Sequence, residues 1–221
     1  MRINAIALVV GCLFLCAAIT SPAHAGEPLR GSDRERMSRA NEWFDRGYQH
    51  AVKGELDLAI ATYTKALEMN PDLVQAYVNR GLAYARQGQS SRALDDYNKA
   101  IGLDTTTAAV YINRGLVYFT LGQYDRAIRD YTEAIALRRN DATAYYNRGA
   151  AYGKTGENSK ALDDLNLSLA LDPKNAEAYN SRGAVYYKSG DSKSAVQDFQ
   201  KACDRGIAVA CSNLKAVSPG R

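Results

Sequence analysis

The chain has 221 residues, with 28 Lys and Arg against 24 Asp and Glu, a formal charge of +4, and 46% hydrophobic side chains. So mild a positive balance excludes a strongly basic nucleic-acid or anionic-membrane binder, whose Lys and Arg would dominate its composition. The length is large for one compact core and suits a chain built from several stacked units.

The first 25 residues read as a secretory signal rather than as fold. Arg2 supplies a charged start, an apolar run extends from about Ile6 to Ile19, and Ala23-His24-Ala25 offers a small-x-small cleavage site. The run is short for a membrane span, which needs ~20 apolar residues. The expectation is cleavage after Ala25 and a periplasmic or secreted protein with no membrane span left. The rivals are an uncleaved anchor, and lipid attachment at Cys12 within Val9-Val10-Gly11-Cys12, which the apolar residues after Cys12 oppose. Cleavage removes Cys12, Cys16 and His24, leaving Cys203, Cys211 and His50. Residues 26–32 form a short polar linker, 33–216 carry the fold, and 217–221 form a tail.

Five Arg-Gly pairs follow at a constant interval of 34 residues: Arg46-Gly47, Arg80-Gly81, Arg114-Gly115, Arg148-Gly149 and Arg182-Gly183. With each glycine at position 8, the repeats span 40–73, 74–107, 108–141, 142–175 and 176–209. Position 4 reads Trp43, Tyr77, Tyr111, Tyr145, Tyr179, and position 11 reads His50, Tyr84, Tyr118, Tyr152, Tyr186. Position 15 is always glycine, position 20 always alanine, and position 24 reads Tyr63, Tyr97, Tyr131, Leu165, Phe199. Spacings of 3, 4 and 7 put these slots on one helical face. Small residues at 8, 20 and 27 let two helices approach, the aromatics fill the space around them, and the glycine at 15 ends the first helix. One unit cannot bury such a face alone, so neighbours must stack. His50, in an aromatic slot, reads as a packed scaffold residue rather than a ligand or base.

This pattern closely resembles the tetratricopeptide repeat (TPR) family, with its aromatic, Gly, Tyr and Ala-x3-aromatic signature and closing proline, here Pro71 and Pro173. The resemblance implies an all-α fold, a right-handed α-solenoid of five helix-turn-helix repeats with a C-terminal capping helix over 207–216. The chain departs from the family at position 7, where arginine replaces leucine in every copy. Position 23 offers carboxylates in repeats 2 to 5, which predicts an internal ladder of Arg80 with Asp96, Arg114 with Asp130, Arg148 with Asp164 and Arg182 with Asp198. Repeat 1 has Thr62 there and should lack the pair. The alternative is solvated arginine heads lying over aromatic rings.

The segment Cys203 to Cys211 resembles the cysteine-rich TPR-like repeats of secreted bacterial proteins, which implies a disulfide from the last repeat to the capping helix. Free thiols and a redox site are the alternatives; the spacing is neither that of a zinc site nor of a C-x-x-C motif.

The resemblance also implies a concave face lined by first helices. Position 6 places Asn79, Asn113 and Asn147 along it, similar to the asparagine ladder in the TPR arm of the O-linked N-acetylglucosamine transferases. A carboxamide donates and accepts, so it can hold a peptide backbone. Phe44, Tyr48, Val78, Leu82, Ile112, Leu116, Phe119 and Tyr146 would supply apolar surface around the amides. The charged clamp of chaperone-binding TPRs is a poor match, although Arg86, Lys154 and Lys188 at position 13 favour an acidic segment. No phosphate loop, dinucleotide motif, metal cluster or nucleophile-base pair stands outside the repeat. The expectation is a non-catalytic module without cofactor or metal that binds a protein or peptide in its groove. The alternative is an architectural adaptor working through its convex face or ends, with self-association.

Overall fold

A computed structural model describes residues 31–218, and every regular element within them is an α-helix. The helices are α1 (Gly31–Val52), α2 (Leu56–Met69), α3 (Val74–Arg86), α4 (Ser90–Leu103), α5 (Ala108–Thr120), α6 (Tyr124–Leu137), α7 (Ala142–Thr155), α8 (Asn158–Leu171), α9 (Ala176–Lys188), α10 (Ser192–Asp204) and α11 (Ala208–Val217). The expected signal at 1–25, with Cys12, and residues 26–30 of the expected linker lie outside the described residues. Gly31 and Ser32 belong to α1 rather than to a linker.

The fold is an all-α helical-repeat solenoid. Its helices form two compact units, one ending at Asp104 and holding α1–α4, the other beginning at Thr105 and holding α5–α11. Within each unit consecutive helices pack on one another, and first helices of successive repeats also meet, as α1 with α3, α5 with α7 and α7 with α9.

The period-34 residues explain this local structure. Gly88 takes φ +75° between α3 and α4, a left-handed conformation that costs a side chain ~1 kcal/mol or more. The Gln89 N–H then donates to the Tyr84 carbonyl at 2.9 Å, closing the helix end with a 6→1 bond. Gly54, Gly122, Gly156 and Gly190 repeat the turn, with φ between 73° and 86°.

At position 8 the glycine has a different reason. A Cβ on Gly115 would lie 2.6 Å from the Tyr131 ring, and one on Gly47 2.6 Å from Tyr63. The ring of the second helix therefore rests on the bare backbone of the first. Tyr63, Tyr97, Tyr131, Leu165 and Phe199 are all fully buried in this slot. Such burial contributes ~1.5–3 kcal/mol per side chain, the main reward for closing each hairpin. Ser168, the one departure from alanine at position 27, donates to the Ala142 carbonyl at 2.9 Å, which satisfies its buried hydroxyl.

Candidate functional site: arginine rungs and first-helix faces

The arginines of repeats 2 to 5 are half-buried struts. Arg80 donates from Nε and Nη2 to the two oxygens of Asp96 at 2.9 and 2.8 Å. The same fork joins Arg114 to Asp130 at 2.9 and 2.7 Å, Arg148 to Asp164 at 2.7 and 2.9 Å, and Arg182 to Asp198 at 2.7 and 2.9 Å. Each aspartate is almost fully buried. These hydrogen bonds are the chief cause that holds each guanidinium above its ordinary pKa, outweighing the desolvation that opposes it. A planar fork matches a carboxylate in a way an ammonium cannot, so lysine would not substitute.

Arg80, Arg148 and Arg182 also reach backward. Nη1 of Arg80 donates to Thr64 Oγ1 at 2.9 Å, that of Arg148 to Thr132 Oγ1 at 3.1 Å, and that of Arg182 to Asn166 Oδ1 at 2.6 Å. Thr64, Thr132 and Asn166 occupy position 25 of the preceding repeat, so these rungs bind two repeats together as well as two helices. The guanidinium planes also lie over tyrosine rings. Arg148 sits 5.8 Å from the Tyr145 centroid and 6.0 Å from Tyr152, and Arg182 sits 5.5 Å from Tyr179 and 5.9 Å from Tyr186. The carboxylate fork and the ring contact coexist on the same side chain, so the heads are paired rather than solvated.

Repeat 1 lacks the carboxylate. Thr62 turns its hydroxyl to the Leu58 carbonyl of its own helix. Arg46 lies 4.9 Å over the Trp43 ring and Lys65 Nζ 4.5 Å from it, and among the described residues neither cation makes a salt bridge.

The expected binding residues differ in exposure. In the first unit Tyr48 is exposed, and Phe44, Val78, Asn79 and Leu82 are half-buried. Phe44 also meets Tyr63 at 5.7 Å between ring centroids, so part of its surface is spent on packing. In the second unit Asn113, Leu116 and Phe119 are half-buried, while Ile112, Tyr146 and Asn147 are buried. Phe119 meets Tyr124 edge-on at 5.2 Å. Burial pushes the Tyr146 hydroxyl above the ordinary tyrosine pKa, with a hydrogen bond to Ser181 opposing the shift. The Asn147 amide nitrogen is buried without a hydrogen-bond partner. Asn79 and Asn113 make no side-chain hydrogen bond among the described residues, and neither is buried. The three asparagines share a repeat position but not an environment.

A small pit lies in the first unit between α1, α2 and α3. It has a volume of about 30 Å³ and is bordered by Tyr48, Val52, Leu56, Tyr63, Leu82, Asn79 and Arg86. The hydroxyls of Tyr63, Tyr97 and Tyr131 are buried without partners, a feature that the repeat pattern alone did not signal.

Near the C-terminus, Cys203 of α10 and Cys211 of α11 form a disulfide, with Cα atoms 4.7 Å apart. Ala210 is fully buried, and Ile207, Leu214 and Val217 pack with it on Phe199 and Ala202, so α11 caps the last repeat. His50, in the aromatic slot of repeat 1, bonds through Nδ1 to Glu55 at 2.6 Å across the turn between α1 and α2. That hydrogen bond lowers the Glu55 pKa. Among the described residues no group of three His, Cys, Asp or Glu is placed to hold a metal ion, and no helix is long and apolar enough to cross a membrane.

Helix pairs closed by glycine, stacked through half-buried arginine rungs and capped at the C-terminus, define a helical-repeat protein of the interaction-scaffold class. The TPR repeat pattern matches residues 47–88, 117–156 and 154–190, and further tetratricopeptide repeat patterns match 74–105 and 176–205. The chain belongs to the tetratricopeptide repeat family, whose members are protein-interaction modules. Among solved structures it is similar to a MamA protein, at 30% identity over 82% of this chain and 96% of that one, with a TM-score of 0.68. It is also similar to YrrB, described as a TPR protein with an unusual peptide-binding site, at 23% identity over 84% and 98% with a TM-score of 0.68. The pilF protein of Pseudomonas aeruginosa shares the fold at 19% identity over 85% and 95%, with a TM-score of 0.70. No curated protein sequence matches the chain.

Proposed function

We propose that this is an exported, non-catalytic module that holds a peptide or protein segment against the first-helix faces of its repeats. The observation that carries the reading is the state of Asn79 and Asn113. Each is a bidentate amide, not buried, without an intramolecular bond among the described residues, and set beside apolar side chains, Val78 and Leu82 for one, Leu116 for the other. A free amide among apolar neighbours suits an extended main chain, whose N–H and C=O it can pair while the neighbours take side chains. Export rests on the signal-like residues 1–25 and on the Cys203–Cys211 disulfide, which persists in an oxidising compartment.

The test replaces Asn79, Asn113 and Asn147 together by alanine and repeats a pull-down from periplasmic extract, with circular dichroism as the folding control. Loss of partners with retained helicity supports the reading. Unchanged partners favour the second reading, an architectural adaptor that works through its ends or convex face and through self-association. The unfinished first rung supports that alternative, because Trp43, Arg46 and Lys65 form a cationic aromatic cluster without a carboxylate.

A further inference from the structure

The pit between α1, α2 and α3 holds donors that the fold leaves unused. Tyr63 is fully buried, yet its hydroxyl has no hydrogen-bond partner. Packing does not require that hydroxyl, since Leu165 and Phe199 fill the same slot against Gly149 and Gly183 in later repeats. A buried hydroxyl without a partner costs ~1–3 kcal/mol, which an acceptor placed beside it would recover. Tyr97, one repeat on, also buries a hydroxyl without a partner.

Arg86 lies at the pit and acts electrostatically on both tyrosines, opposing the rise that burial gives their pKa values. Among the described residues it makes no salt bridge. The carboxylates of the adjoining turn are engaged elsewhere: Asp57 accepts from Gln87 Nε2 at 2.6 Å, and Glu55 is held by His50. Asn79 adds an amide to the same wall. The remaining lining, Ala51, Val52, Leu56, Leu82 and Ala83, is apolar apart from the phenol of Tyr48.

We propose that this pit is a receptor for a glutamate side chain of the bound segment, with its methylenes against Val52 and Leu82 and its carboxylate accepting from Arg86, Asn79 and the Tyr63 hydroxyl. The inference rests on the reading of the first-helix face as a peptide site and adds the residue that this face selects. About 30 Å³ is room for the tip of one side chain, comparable with a water or two. A guanidinium with free donors can meet a carboxylate through two parallel hydrogen bonds.

The experiment is an NMR titration of the full chain with N-acetyl-glutamate amide and, in parallel, N-acetyl-glutamine amide. The readouts are the Arg86 Nε–H signal and the Tyr63 and Tyr97 ring signals. The expected result is saturable shifts with the glutamate probe and at least tenfold weaker response to its neutral isostere. Arg86→Gln should abolish the response, and Tyr63→Phe should weaken it three- to tenfold while raising the melting temperature, since the unpartnered hydroxyl is gone. Equal response to both probes, no response to either, or full response in Arg86→Gln overturns the proposal. If it fails while the triple asparagine variant still loses its partners, the pit alone is wrong and the peptide-binding reading stands.

Discussion

Arg148 grips Asp164 through two parallel hydrogen bonds of 2.7 and 2.9 Å, while its third nitrogen reaches Thr132 of the preceding repeat at 3.1 Å. One side chain therefore closes its own helix hairpin and ties that hairpin to its neighbour. Removing the carboxylate strands a half-buried cation. Asp164→Ala is expected to cost about 2–4 kcal/mol in urea unfolding. The double variant Arg148→Ala, Asp164→Ala should cost less than the sum of the two single changes, by about 1–3 kcal/mol of coupling. Additive effects would mean that the rung carries no interaction energy.

The missing first rung can be supplied. Thr62→Asp places a carboxylate at the position that faces the arginine in every later repeat, here Arg46. We expect a gain of about 0.5–1 kcal/mol, modest because Arg46 is exposed. In calorimetry this is a rise of about 1–4 °C, abolished in an Arg46→Gln background.

Three glycines should respond to alanine in different ways. Gly115→Ala drives a methyl to 2.6 Å from the Tyr131 ring and should destabilise by about 1–3 kcal/mol through overpacking. Gly122→Ala meets open space but must adopt φ +73°, a loss of about 1–2 kcal/mol. Gly102→Ala, helical and with nothing within 4 Å, should stabilise by about 0.4–1 kcal/mol. Denaturant melts of the three variants check the order and the signs.

The disulfide closes a short loop, with a sequence separation of 8 between Cys203 and Cys211. In the chain-entropy picture Cys203→Ser with Cys211→Ser loses about 2–3 kcal/mol, chiefly from the hold of α11 on repeat 5. Hydrogen exchange should show faster exchange confined to α11 and the end of α10, with the remaining helices unchanged.

Burial raises the pKa of Tyr63, Tyr97 and Tyr131 well above the ordinary value of 10.0. The folded state binds these protons more tightly than the unfolded one. Their contribution to stability is complete below pH 10 and falls as pH rises from there toward the folded values. Absorbance titration of phenolate should therefore show these tyrosines, together with Tyr146, ionising only with loss of helix, monitored at 222 nm by circular dichroism. Phenylalanine at Tyr63, Tyr97 and Tyr131 should shrink that late step to what Tyr146 contributes.

The repeat register, the turn glycines and the pairing of positions 7 and 23 were legible because each belongs to a single hairpin. Residues 16 apart, such as Arg114 and Asp130, meet whenever two adjacent helices pack antiparallel. The second hold of Arg80, Arg148 and Arg182 was missed, although a polar side chain at position 25, such as Thr64, Thr132 or Asn166, was its available signal. That contact exists only once two repeats have stacked.

The sequence by itself determined the number of hairpins, where each turns, and which ring lies on which glycine, because these follow from contacts within 34 residues. Tertiary structure alone decided which asparagines stay accessible. Asn79 and Asn147 hold the same repeat position, yet one is half-buried and the other buried, with its amide nitrogen unpartnered. The physical reason is that exposure depends on the side chains that neighbouring helices set beside a residue. Stacking fixes those neighbours, and they differ from repeat to repeat even where the pattern does not.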